Sequence, residues 1–202
     1  MKSVIHSIKL ASTATLALSL VLLTSCIGGR RYTGETLYLS DVIGNKQSDG
    51  MADGSYWNGN GIDGSPSIRI KLAEQRAYFY KGGKLVGESS ISSGRDGYQT
   101  PRGSFTISQM NADHRSNLYG QILTADGNIA VSDADIRKDT IPKGGKFVGA
   151  SMPHFMRFNG SIGMHAGFVP NYPASHGCVR LPAHMASNFF RNVSHGTPVI
   201  VE

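Results

Sequence analysis

Alternation at period two governs the chain from Pro66 onward. Ser67-Ile68-Arg69-Ile70-Lys71-Leu72 places an apolar residue at every second position, the spacing that turns one strand face to a core and the other to water. Arg76-Ala77-Tyr78-Phe79-Tyr80 follows, and Lys81-Gly82-Gly83-Lys84 reads as a hairpin turn into a strand over 85–92. Further strands are expected over 103–108, 129–131, 155–158, 161–167 and 198–201. One segment reads as helical. Pro182 suits a first turn, where no amide donor is needed. Ala183, Ala186, Phe190 and Val193 then fall near helical spacing, with Met185 and Phe189 widening the apolar face and an end near Ser194-His195-Gly196. These elements predict a mainly β fold over 66–202, a β-sandwich or barrel-like domain with one or two short helices, long enough to bury a core.

The two ends differ in kind. Lys2 and Lys9 open the chain and an apolar run follows from Leu10 to Leu23, too short and too rich in small residues for a membrane span. It ends in Leu23-Thr24-Ser25-Cys26, which resembles the bacterial lipobox. The expectation is a lipoprotein-type signal peptide over 1–25, lipidation of Cys26, and a lipid-anchored protein in the periplasm or cell envelope. Ile27, rather than Asp, after the cysteine favours the outer membrane. Residues 26–65 read as a flexible tether, because the Gly, Asn, Asp and Ser of Gly44–Gly50 and Asn58–Ser65 bury little apolar surface. Tyr56 and Trp57 are its one means of packing. Lys and Arg number 20 against 14 Asp and Glu. Loss of Lys2 and Lys9 leaves 18 against 14, an excess that suits an anionic partner such as cell wall or lipid headgroups. No basic run is interleaved with aromatics, so nucleic acid is not an expected partner.

The chain has two cysteines. With Cys26 acylated, Cys178 has no intramolecular partner, and an unpaired thiol in an oxidising compartment is a liability unless its reactivity is used. Cys178 lies in Ser175-His176-Gly177-Cys178-Val179-Arg180-Leu181, thirteen residues after His165 in Gly163-Met164-His165-Ala166-Gly167. A thiol attacks as thiolate, and a neighbouring imidazole is the usual means of making one. In an extended segment His176 points the same way as Cys178, although Gly177 marks a turn. His165 lies on an expected strand that could return beside the cysteine. Backbone amides at Gly177 and Cys178 are natural oxyanion donors. The spacing of His165, His176, Cys178 and His184 lacks a paired ligand set, so no metal site is expected, nor any cofactor. His114, His154, His184 and His195 read as surface or turn residues, and Tyr98 and Tyr119 as candidates for a lid.

Residues 163–182 resemble the signature of the YkuD-type L,D-transpeptidases, which crosslink bacterial peptidoglycan. Thr100-Pro101-Arg102-Gly103-Ser104-Phe105 and Met152-Pro153-His154-Phe155 are similar to two further segments of that family. The resemblance implies Cys178 as nucleophile and His165 as base, oriented by the Ala166 carbonyl. It implies Ser175, His176 and Gly177 on the oxyanion and substrate side, and Arg180 positioning a substrate carboxylate or fixing the loop. The implied substrates are peptidoglycan stem peptides. An acyl-enzyme forms on the third residue of a tetrapeptide, D-alanine leaves, and the acyl group passes to an amine of a second stem. The same site could hand it to water, as an L,D-carboxypeptidase, or to a lysine of a lipoprotein. His154 departs from the aromatic residue of many relatives, and an acceptor pocket shaped by it would differ.

Overall fold

A computed structural model describes residues 53–202. The expected signal segment, Cys26 and most of the tether lie outside the described residues. Among the described residues eleven strands form two sheets. The first contains β1 (Tyr56–Trp57), β2 (Pro66–Lys71), β3 (Arg76–Lys81), β4 (Lys84–Ser90), β5 (Gly103–Thr106) and β11 (Pro198–Val201), in the order β1-β4-β3-β2-β11-β5. The second contains β6 (Gln109–Leu123), β7 (Ile129–Asp135), β8 (Lys146–Asn159), β9 (Ile162–Ala166) and β10 (Val179–Leu181), in the order β10-β9-β8-β6-β7. The pairs β2–β11 and β9–β10 are parallel, the others antiparallel. Among the described residues one helix occurs, α1 (Ala183–Asn192), just after the β10 strand.

The alternation seen in sequence sorts the faces. Ile68, Ile70, Ala77, Phe79, Val199 and Val201 turn inward from the first sheet and meet Met156, Phe158, Met164, Ala166, Val179 and Leu181 of the second. Met185, Ala186 and Phe189 of α1 complete this core. Lys81-Gly82-Gly83-Lys84 is the expected hairpin, with both glycines at positive φ. The helix begins after Pro182 as expected and ends at Asn192, before Val193 turns to extended backbone.

Residues 53–65 correct the expected tether. Tyr56 and Trp57 pair with Glu88 and Gly87 as an edge strand. The Ser55 hydroxyl accepts from the Ser90 amide at 2.9 Å, and the Asn58 amide donates to the Val86 carbonyl at 2.7 Å. The Trp57 ring lies 5.1 Å from Phe79 and 6.1 Å from Phe189, centroid to centroid. Apolar burial by one indole overrides the polar composition around it, so the packed domain begins before Pro66.

The long β6 strand is the element the alternation missed. Between Arg115, opposite Ser151, and Gly120, opposite Gly149, four residues of β6 face one of β8. The surplus, 116–119, bulges out of the sheet in a turn closed by the Ser116 hydroxyl, which accepts from the amides of Leu118 and Tyr119. Gly149 is needed beneath it: a Cβ there would lie 1.9 Å from the Ser116 carbonyl oxygen. A bulge of this kind re-aims side chains, and here it turns Tyr119 toward the cysteine.

Candidate active site

The parallel pairing of β9 and β10 builds the site. Val179 pairs with Met164, Arg180 with His165, and Leu181 with Ala166. Because successive side chains point to opposite faces, Met164, Ala166, Val179 and Leu181 fill the core, while His165, Arg180 and Cys178 turn to the other face. There they line one cavity of about 240 Å³ with His176, Tyr119 and Arg157.

His165 is buried. Its Nδ1 lies 2.8 Å from the Ala166 carbonyl oxygen. A carbonyl only accepts, so Nδ1 carries the proton and Nε2 keeps its lone pair. Burial, opposed by the Ala166 hydrogen bond, lowers the pKa of the imidazole to about 4. Burial likewise raises that of the Cys178 thiol, against the Gly163 amide and the charges of Arg180 and Arg157. The sulfur lies 4.0 Å from the Ser161 carbonyl oxygen, a placement that suits an S–H donor and repels a thiolate. Both shifts favour a neutral thiol and a neutral imidazole at rest.

The cysteine turn is fixed from beneath. The buried Ser175 hydroxyl accepts from the Gly177 amide at 3.0 Å and donates to the Cys178 carbonyl at 2.5 Å. The Thr100 hydroxyl donates to the Gly177 carbonyl at 2.8 Å and accepts from the Gly94 amide at 2.9 Å. Gly177 holds φ 113°, a conformation that side-chain-bearing residues rarely adopt. These contacts bear on two expected roles. The Gly177 amide is spent on Ser175 rather than free for an oxyanion. The Ser175 hydroxyl is bonded to the backbone on both sides, so this residue shapes the turn while also lining the cavity. The isolated Thr-Pro-x-Gly motif gains a physical reason, since Thr100 is a strut of the turn.

His176 is held by partners of its own. Arg95 Nη2 donates to its Nε2 at 2.7 Å, so Nε2 is the acceptor. Asp133 lies 3.7 Å from the same nitrogen, and Tyr98 meets the ring edge-on at 4.8 Å. Burial holds the His176 pKa below the usual imidazole range. Arg180 remains on the cavity wall and in register with His165.

Several residues around the site depart from the sequence expectation or carry no local signal. Arg95 and Asp133 reach His176 from distant segments and carry no local signature. His114, expected at the surface, lines the cavity and stacks on Phe155 at 4.3 Å. Arg157 could have been found, because it alternates with Met156 and Phe158 and so must face away from the core. His154 is also corrected. It sits in β8 at φ 57° with its ring 5.4 Å from Phe190 of α1 and its Nδ1 buried without a hydrogen-bond partner among the described residues. It does not line the cavity. His184 and His195 are exposed, as expected.

A two-sheet domain that sets a free thiol and a buried imidazole on one cavity wall defines a cysteine–histidine site on a β scaffold. Residues 65–201 match the model of the YkuD L,D-transpeptidase catalytic domain, and the chain belongs to that family. Its fold is similar to an L,D-transpeptidase from Mycobacterium smegmatis, at 18% identity over 68% of this chain and 58% of that one, with a TM-score of 0.53. It is also similar to the L,D-transpeptidase LdtMt1 in complex with imipenem, at 18% identity over 68% and 59%, TM-score 0.51. A third is an L,D-transpeptidase from Xylanimonas cellulosilytica, at 22% identity over 70% and 62%, TM-score 0.50. The chain spans less than two thirds of the length of each. Among curated proteins none matches significantly.

Proposed function

We propose that this domain is a cysteine-dependent L,D-transpeptidase that crosslinks peptidoglycan stem peptides. The observation that carries the reading is the Cys178–His165 arrangement, with Nδ1 of the imidazole tied to Ala166 and Nε2 left as the base. Sulfur attacks the carbonyl of the third stem residue as Nε2 takes the thiol proton. The Cys178 amide is the remaining donor for the oxyanion once Gly177 is excluded. The imidazolium returns its proton to the departing D-alanine amine, leaving a thioester. An amine of a second stem, deprotonated by the same nitrogen, attacks the thioester and restores the thiol. Arg180 positions a substrate carboxylate beside His165. The neutral resting pair makes proton transfer part of the attack instead of a preceding ionisation.

The lipobox-like segment ending at Cys26 supports lipid anchoring in the cell envelope, where stem peptides are found. A globomycin-sensitive shift in precursor mass tests the anchor. For the chemistry, the purified protein is incubated with tetrapeptide muropeptides and the products weighed. Crosslinked dimers with D-alanine release support the reading, and their loss in Cys178→Ala ties them to the thiol. Tripeptides alone would mean that water is the acceptor.

A further inference from the structure

Arg157 faces the cavity from β8 with one edge unspent. Its Nε donates to Gln109 Oε1 and its Nη1 to the Gly160 carbonyl, both at 2.7 Å. Its guanidinium lies 5.2 Å from the centroid of the buried Phe155 ring. Nη2 has no hydrogen-bond partner among the described residues. A long side chain is thus held by two hydrogen bonds and a ring, which lowers the ordering cost of using the third nitrogen on a ligand. Beside it, His114 stacks on the same Phe155.

Register fixes where this edge sits. Arg157 pairs with Gly163 across β8–β9, and the β9–β10 register, continued one residue back from Val179–Met164, sets Cys178 beside Gly163. Arg157 and Cys178 therefore share a row and a face, two strand spacings apart, about 10 Å between Cα atoms. Gly163 between them leaves the row without a side chain. Arg180 is nearer, two residues along the strand from Cys178, about 7 Å. The carboxylate of the departing D-alanine, close to the scissile carbonyl, falls to Arg180. A group on Arg157 must lie farther out, at the end of a long side chain whose own carbonyl is under attack.

We infer that Arg157 determines specificity for the third residue of the donor stem, by receiving a carboxylate at the far end of a diamino-acid side chain. The inference rests on the acyl-transfer reading above. A fixed guanidinium prefers a carboxylate to the neutral amide of the same shape.

Tetrapeptide muropeptides differing only in that group, free carboxylate or carboxamide, separate the possibilities through kcat/KM for D-alanine release. The wild-type protein favours the carboxylate on the order of tenfold or more. Arg157→Gln accepts both alike, and Arg157→Lys keeps a reduced preference, with melting curves confirming that each is folded. Equal use of both substrates by the wild type, or an undiminished preference in a folded Arg157→Gln, overturns the inference alone. Absence of D-alanine release from either substrate overturns the acyl-transfer reading, and this inference with it.

Discussion

Tyr119 lies face to face with His176, ring centroids 4.1 Å apart and planes 16° from parallel. The stack is held from outside. Arg137 Nη2 donates to the Tyr119 hydroxyl at 2.7 Å while the same guanidinium grips both oxygens of Asp135. Arg137 in turn holds the Asp135 carboxyl down at about 2, so this clamp persists well into acid. The bulge of β6, the end of β7 and the cysteine turn thus meet at one imidazole.

Removal of that ring is the first test. An aromatic pair contributes about 0.5–1.5 kcal/mol beyond its buried area. Tyr119→Ala therefore lowers kcat/KM for D-alanine release about three- to tenfold, with a smaller loss for Tyr119→Phe, which keeps the stack and forfeits the Arg137 bond. An alanine variant as active as wild type would mean that the bulge does not position His176 for chemistry.

The turn beneath the sulfur makes a sharper structural demand. Thr100→Val keeps the shape of the side chain but strands the Gly94 amide and the Gly177 carbonyl, both bonded to its hydroxyl. A buried group left unsatisfied costs about 1–3 kcal/mol. Denaturant unfolding should show a loss of about 2–4 kcal/mol for Thr100→Val, and a similar loss for Ser175→Ala, which strands the Gly177 amide and the Cys178 carbonyl. Unchanged midpoints in both would remove these hydroxyls from the account of the turn.

How much of this was legible in the chain depends on the range of the interaction. Ile68 and Ile70 announce a strand because burial on one sheet face imposes a two-residue period, and Gly82-Gly83 announces its turn through backbone freedom. His165 and Cys178 were found through the short strings around them. The Gln109–Leu123 strand was not. It carries polar residues on both faces along much of its length, and its bulge breaks the period where it matters most. Tyr56 and Trp57 mark a means of packing within a polar segment, but nothing nearby reveals that Phe79 and Phe189 are the partners of Trp57. Arg95 reaches His176 from 81 residues away, a distance at which local pattern carries no information.

That indole supplies another prediction. Trp57→Ala removes its contacts with Phe79 and Phe189 and releases the edge strand. Emptying such a site typically costs about 3 kcal/mol, and a chain beginning at Pro66 should lose at least as much. Thermal melting of both forms beside the parent decides it. Equal Tm values would restore residues 53–65 to the tether.

The buried histidine makes stability depend on pH with a definite sign. His165 titrates near its ordinary value of about 6.5 when unfolded and at about 4 in the folded domain. Between these values the unfolded chain binds the extra proton, so stability falls as pH falls through this window and the slope vanishes below the folded value. The full effect is on the order of 3 kcal/mol. In His165→Gln this contribution is missing, so the stability gap between wild type and variant shifts against the wild type as pH drops from 7 to 4. The same neutral pair governs reactivity. Because burial raises the Cys178 thiol and lowers the imidazole, alkylation by iodoacetamide should climb steadily with pH from 5 to 8. A rate already level across that range would reveal a preformed thiolate–imidazolium pair and overturn the neutral resting state.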